Sequence, residues 1–124
     1  MRFWTPVILF SLTISSIPAA DFSFAGNFQR DDEHRNFSVT TSKPSTLTVR
    51  TLSYAGGANA SGIAVPAGGF DPTLSVFDSS GNLIAVNRDG GCDSVARDPA
   101  TAFCWDSSLS VAVPAGAYQI VLTQ

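Results

Sequence analysis

Apolar and polar residues alternate with a period of two along most of this chain, a pattern typical of strands with one buried face. No stretch of a dozen residues shows the apolar spacing of a helix. The alternating runs are 22–28, 37–41, 47–51, 73–77, 83–86, 109–113 and 118–122. The sequence therefore predicts an all-β protein, a single β-sandwich of jelly-roll or Greek-key type with about seven or eight short strands.

Turn residues indicate how neighbouring runs are joined. The segment Asp78–Asn82 offers local side-chain caps and a glycine, so runs 73–77 and 83–86 are predicted to form a hairpin. Pro114-Ala115-Gly116 predicts a second hairpin from the last two runs, which is the strongest hairpin signal in the chain. The stretch 54–71 reads as a loop rich in Gly, Ala, Asn and Ser, and loops of that length are often functional.

The first twenty residues have the order of a secretory signal peptide. Arg2 precedes an apolar run over 3–12 that continues weakly to Ile17, and Pro18-Ala19-Ala20 follows. The run is shorter than the roughly 20 residues that span a bilayer, although an uncleaved anchor is the alternative. We expect a signal peptide at 1–20, a β-sandwich domain at 21–124, export from the cytoplasm and no membrane span after cleavage.

The two cysteines support export, and the net charge argues against nucleic acid as a partner. Cys92 and Cys104 enclose eleven residues without a CxxC pattern or a neighbouring histidine, which favours a disulfide over a zinc site. Two free buried thiols are the alternative. From Asp21 onward six Lys or Arg stand against ten Asp or Glu, a net of about −4, so nucleic acid is not expected as a partner.

Loop-placed oxygen ligands provide one candidate site. Calcium takes six to eight oxygens from carboxylates, amides and backbone carbonyls that loops usually present. Candidate oxygen ligands lie in the turn 31–33, at Asp71, and in the cysteine loop at Asn87, Asp89, Asp93 and Asp106, although the EF-hand pattern is absent. The alternative is that these acids cap turns and keep the loops soluble.

Two loop aromatics provide a second candidate site, and no catalytic group stands out. Tyr54 and Trp105 would either stack on a sugar or cover the core. His34 is the only histidine and is expected at the surface, and no recognisable Ser or Cys nucleophile motif occurs. We therefore expect a protein without enzymatic activity. A hydrolase that uses paired acids is the least favoured reading.

The order of these motifs resembles a known family. The segments that carry the resemblance are 22–28, 31–32, 37–39, 52–57, 69–72, 77–84, 89–92, 104–106, 109–111 and 114–118. They resemble secreted bacterial proteins that often carry a C-terminal PEP-CTERM sorting signal. More distantly, they are similar to the bacterial pre-peptidase C-terminal (PPC) domain, a β-sandwich appended to exported enzymes.

The resemblance implies a non-catalytic domain, secreted or at the bacterial cell surface, whose partner is an extracellular polymer or a cell-surface component. Some relatives of the PPC type bind calcium, so the resemblance implies a calcium site at Asp71, Asn87, Asp89 and Asp106. Two features depart from the family pattern: Arg88 stands beside Asp89, and the chain ends at Gln124, inside a predicted strand and before any sorting signal. We therefore expect a domain truncated at its C-terminus, with a carbohydrate-binding module as the alternative function.

Overall fold

The computed structural model describes residues 20–124, so the predicted signal peptide lies outside the described residues except for Ala20. Within this range the chain forms eight strands and no helix. They are β1 (His34–Thr41), β2 (Ser45–Arg50), β3 (Gly57–Ala58), β4 (Ala64–Val65), β5 (Thr73–Phe77), β6 (Leu83–Asn87), β7 (Ser108–Val113) and β8 (Gly116–Thr123). These residues include no helix that is long and apolar enough to cross a membrane. The predicted all-β class is confirmed.

Three antiparallel sheets organise these strands. The largest has the order β1-β8-β5-β6, the second pairs β2 with β7, and the third is the two-residue ladder of β3 with β4. The core lies between the first two sheets. Its buried side chains come from β5, β7 and β8, namely Leu74, Val76, Leu109, Val113, Tyr118 and Ile120. A four-stranded sheet thus packs on a two-stranded one, as a β-sandwich requires.

The predicted β5–β6 hairpin is confirmed and has a well-capped turn. The Asp78 carboxylate accepts the backbone N–H groups of Ser80 at 3.0 Å and Asn82 at 2.9 Å. These bonds, the one from Asn82 first, hold the pKa of Asp78 below its ordinary value. Gly81 occupies the left-handed region with a φ of 82°. The turn chemistry that was visible in the sequence is therefore the chemistry that closes this hairpin.

The predicted strand at 22–28 is wrong. That segment pairs with no strand, and Phe22 and Phe24 are 70% and 63% exposed. It lies against the domain through side chains instead: the Phe24 ring is 4.4 Å from that of Phe37, and the Phe28 ring is 4.7 Å from that of Phe70. Alternation identifies apolar faces, but it cannot show that a backbone partner is present.

The predicted final hairpin is also wrong. β7 pairs with β2, whereas β8 pairs with β1 and β5, so the chain crosses from one sheet to the other at Pro114-Ala115. The buried Tyr118 hydroxyl donates a 2.6 Å hydrogen bond to the Pro114 carbonyl and braces this crossing. A Pro-Ala-Gly turn serves a crossing between sheets as well as a hairpin, and the sequence alone does not distinguish them.

Candidate functional site

The irregular segments at one end of the sandwich meet around two fully buried polar residues. Asp106 and Ser107 are 1% and 0% exposed and directly precede β7. The segment 51–55 follows β2 and contacts them from one side. A buried carboxylate or hydroxyl is costly unless its hydrogen bonds are made, so their partners decide what this end of the molecule can do.

The Asp106 carboxylate holds segment 51–55 against the loop between β6 and β7. Its Oδ1 accepts the Thr51 hydroxyl and the Ser53 N–H, both at 2.8 Å, and the Tyr54 N–H at 3.1 Å. Its Oδ2 accepts the Ala55 N–H at 2.8 Å. We call this arrangement the Asp106 clamp. Since its donors are neutral groups of 51–55, the clamp fixes the backbone of that segment.

Ser107 joins the same region to the four-stranded sheet. Its hydroxyl lies 2.6 Å from the Pro72 carbonyl and 3.0 Å from the carbonyls of Asn87 and Arg88. Its backbone N–H donates to the Thr51 hydroxyl at 2.8 Å. The start of β5, the end of β6 and the end of β2 are therefore tied to one buried position.

Three aromatic rings form a half-exposed cluster beside the clamp. The rings of Phe103 and Trp105 are stacked, with centroids 4.6 Å apart and planes 2° from parallel. The Tyr54 ring is 4.9 Å from that of Trp105 and tilted by 47°. Phe103 and Trp105 keep 50% and 38% of their surface exposed. We call Tyr54, Phe103 and Trp105 the aromatic cluster.

A capped turn at 98–101 contacts the aromatic cluster through Thr101. The buried Asp98 carboxylate accepts the backbone N–H groups of Thr101 at 2.7 Å and Ala100 at 3.1 Å, and the Thr101 hydroxyl at 2.8 Å. These bonds, the Thr101 N–H first, lower the pKa of Asp98. The Thr101 oxygen also lies 3.0 Å from the Tyr54 hydroxyl. The turn that leads to Phe103 is thus joined to Tyr54.

The predicted disulfide is present. Cys92 and Cys104 are bonded, with their Cα atoms 5.1 Å apart, and the described residues include no free cysteine. Cys104 is buried between Phe103 and Trp105, whose side chains fall on the opposite parity. The bond therefore anchors the strand-like segment that presents both rings.

The four predicted calcium ligands gather at this end, but two are engaged by protein donors. Asn87 Oδ1 accepts the Ser108 N–H at 3.0 Å, and both Asp106 oxygens serve the clamp. Burial raises the pKa of Asp71, as do the charges of Asp89 and Asp106. Within 20–124 no three His, Cys, Asp or Glu side chains are placed to hold a metal together. Calcium binding stays a prediction.

The groove described next lies away from the aromatic cluster. A shallow groove of about 500 Å³ is lined by Asp31, Asp32, Glu33, His34, Asn36, Phe77, Val121 and Thr123. His34 is exposed there, as predicted. Arg30 lies 3.5 Å from Asp32, and Arg35 lies 3.3 Å from Glu33. Asp32 and Glu33 are thus paired with neighbouring arginines, and Asp31 accepts a 3.4 Å hydrogen bond from the Gln124 side-chain amide.

Sequence reasoning singled out Tyr54 and Trp105 for stacking and Asp106 as a calcium ligand, but it missed Phe103, Asp98 and the hydrogen bonds that Asp106 makes to segment 51–55. The signal for Phe103 was available, because side chains at i and i+2 of an extended segment share a face and Phe103 stands two residues before Trp105. Asp98 followed by Thr101 matches a side-chain cap on a turn. Comparisons with protein-family models, with curated proteins and with solved structures found no match for this chain.

Proposed function

We propose that this protein is a non-catalytic exported domain that binds an extracellular polysaccharide through the aromatic cluster. The observation that carries the proposal is the stacked, half-exposed pair Phe103 and Trp105 on a braced loop. The faces of a pyranose ring carry C–H groups, so covering them with an aromatic ring removes apolar surface from water. Because the stacked rings of Phe103 and Trp105 each cover one face of the other, a sugar would meet the outer face or the exposed edge of the pair.

Rigidity is the second support for the proposal. The disulfide anchors Phe103 and Trp105, the Asp106 clamp fixes the backbone of Tyr54, and Thr101 meets the Tyr54 hydroxyl. A surface that is already ordered loses little conformational entropy when it binds, which leaves more of the contact energy for affinity.

Export is supported by the disulfide, since disulfides persist in oxidising compartments. The sequence resemblance to secreted PEP-CTERM proteins and to the PPC domain fits the same proposal. Secretion itself is tested by expressing the full chain in a bacterium and sequencing the N-terminus of the exported product, which we expect to begin at Asp21.

Substitution of the exposed rings tests the binding surface. We expect Phe103→Ala and Trp105→Ala to weaken polysaccharide binding about tenfold or more, as loss of a central aromatic contact does. Binding would be measured on a glycan array and by retardation in gels that contain the polymer. Phe22→Ala, which removes an exposed ring outside the aromatic cluster, is the control and should bind as the wild type does. Equal binding by all four proteins would exclude the aromatic cluster.

A second candidate function is calcium binding at Asp71 and Asp89. Burial raises the pKa of Asp71, and the charges of Asp89 and Asp106 raise it further; a cation bound here would offset that repulsion. A carboxyl with a raised folded pKa loses stabilising effect as pH rises through that pKa, but Asp71 is exposed, so solvent screening keeps this contribution to stability small.

Calcium titration followed by thermal melting tests this candidate. Roughly millimolar calcium should raise the melting temperature at neutral pH, and magnesium should do so less. Asp71→Asn should remove the calcium response without lowering stability in its absence. A melting temperature that calcium does not change, or one that it raises equally in Asp71→Asn, would exclude a site at Asp71.

A further inference from the structure

We propose that the polysaccharide is acidic, and that Arg97 recognises its carboxylate or sulfate group beside the aromatic cluster. The inference rests on the proposed function and adds the chemical class of the ligand. It starts from the position of the guanidinium: Arg97 Nη1 donates a 2.7 Å hydrogen bond to the carbonyl of Ala102, the residue before Phe103. A charged group is thereby held next to an exposed ring.

The backbone at Ala102 is unusual and aims this carbonyl. Ala102 has a φ of 64°, the only left-handed value for a non-glycine residue in the described range. Its N–H donates to the Asp98 carbonyl at 2.9 Å, and the Asp98 N–H donates to the Phe103 carbonyl at 2.8 Å. Left-handed backbone is costly for alanine and often marks a functional segment. Here it turns the Ala102 carbonyl toward Arg97.

Most of the Arg97 guanidinium remains available. Arg97 is exposed, and none of the ion pairs among residues 20–124 includes it. A guanidinium has five N–H donors in a planar fork that matches a carboxylate or sulfate, and the bond to Ala102 uses one nitrogen. A fork that is already oriented loses less entropy when it binds an anion.

The acids closest in sequence to the aromatic cluster point inward. Asp98 and Asp106 are buried, with their carboxylates occupied by N–H and O–H donors. Asp93 is exposed and follows Cys92, whose Cα lies 5.1 Å from that of Cys104, so one exposed acid lies near the other side of the aromatic cluster. Within the segment 97–103 the exposed charge is that of Arg97, although the whole chain has a net charge of −3. A local cation on an acidic protein favours an anionic group on the ligand.

Matched pairs of polymers with and without charge test this inference on the full chain. The pairs are polygalacturonate with its methyl ester, dextran sulfate with dextran, and carboxymethyl with hydroxyethyl cellulose. We expect the wild type to bind at least one acidic member about tenfold more tightly than its neutral partner, and added salt to reduce that preference. The first and third pairs report carboxylate recognition, and the second reports sulfate.

Arg97→Gln should remove the preference for the acidic polymer and leave binding to the neutral partner unchanged, while Arg97→Lys should retain part of it. Lys43→Gln, which removes one positive charge just before the start of β2, at the end of that strand away from segment 51–55, should behave as the wild type. Equal binding to both members of every pair, or a preference that survives in Arg97→Gln, overturns the inference and leaves the proposed function standing. Binding that Phe103→Ala does not weaken, or no binding to any polymer, overturns both.

Discussion

Asp106→Asn should lower the free energy of unfolding by about 3 to 5 kcal/mol, the largest effect that we expect from any single substitution at the site. The new amide retains one acceptor oxygen, but its NH2 group must face N–H donors that bind Oδ1 or Oδ2 in the wild type. At a position that is 1% exposed, water cannot replace the lost bonds. The backbone N–H groups of Ser53, Tyr54 and Ala55 would then be left partly unsatisfied.

Urea denaturation of the full chain measures this effect. Asp93→Asn is the matched control, because it makes the same chemical change at an exposed aspartate of the same loop and should shift stability by less than about 0.5 kcal/mol. A loss below about 1 kcal/mol in Asp106→Asn would show that the Asp106 clamp contributes little. Such a result would also remove the structural reason for the fixed position of Tyr54.

The double substitution Cys92→Ser with Cys104→Ser should cost about 3 kcal/mol, because the disulfide limits the unfolded chain over a loop of this length. It should also weaken polysaccharide binding, since Cys104 anchors the segment that presents Phe103 and Trp105. The measurements are thermal melting and polymer affinity.

Reductant supplies the control for this experiment. It should lower the melting temperature of the wild type and leave the double variant unchanged, because the described range has no other cysteine to reduce. Unaltered polymer affinity in a folded double variant would contradict the anchoring role of the disulfide. Unaltered stability would contradict the entropic contribution of the closed loop.

The fold class and one hairpin could be predicted because both depend on local signals. Alternation along 73–77 and 83–86 and the turn at Asp78 specify a hairpin without reference to the rest of the chain. The partner of β7 could not be predicted in this way. Its apolar residues face the core whether it pairs with β8 or with β2, so pairing is decided by long-range packing.

The candidate site illustrates a different difficulty. Calcium ligands and turn-capping acids are the same residue types in the same loops, and only three-dimensional placement separates them. Asp106 lies where the N–H groups of 53–55 converge, and Asp98 lies where those of Ala100 and Thr101 converge. For these two acids the structure shows carboxylates that accept backbone N–H groups of nearby loops. Asp71 and Asp89 keep the calcium prediction open to experiment.

Tryptophan emission tests the central claim, polysaccharide binding at the aromatic cluster, most directly. The chain has two tryptophans, Trp105 and Trp4, and Trp4 lies in the predicted signal peptide. Trp105 is therefore the only tryptophan of the product that begins at Asp21, and Trp4→Phe gives the same single emitter where residues 1–20 are retained. Titration with the tightest-binding polymer should shift or quench the emission and saturate at the concentration that gel retardation gives for binding. A polymer that binds while the Trp105 emission stays unchanged would contradict the account, because the ligand would then occupy another surface.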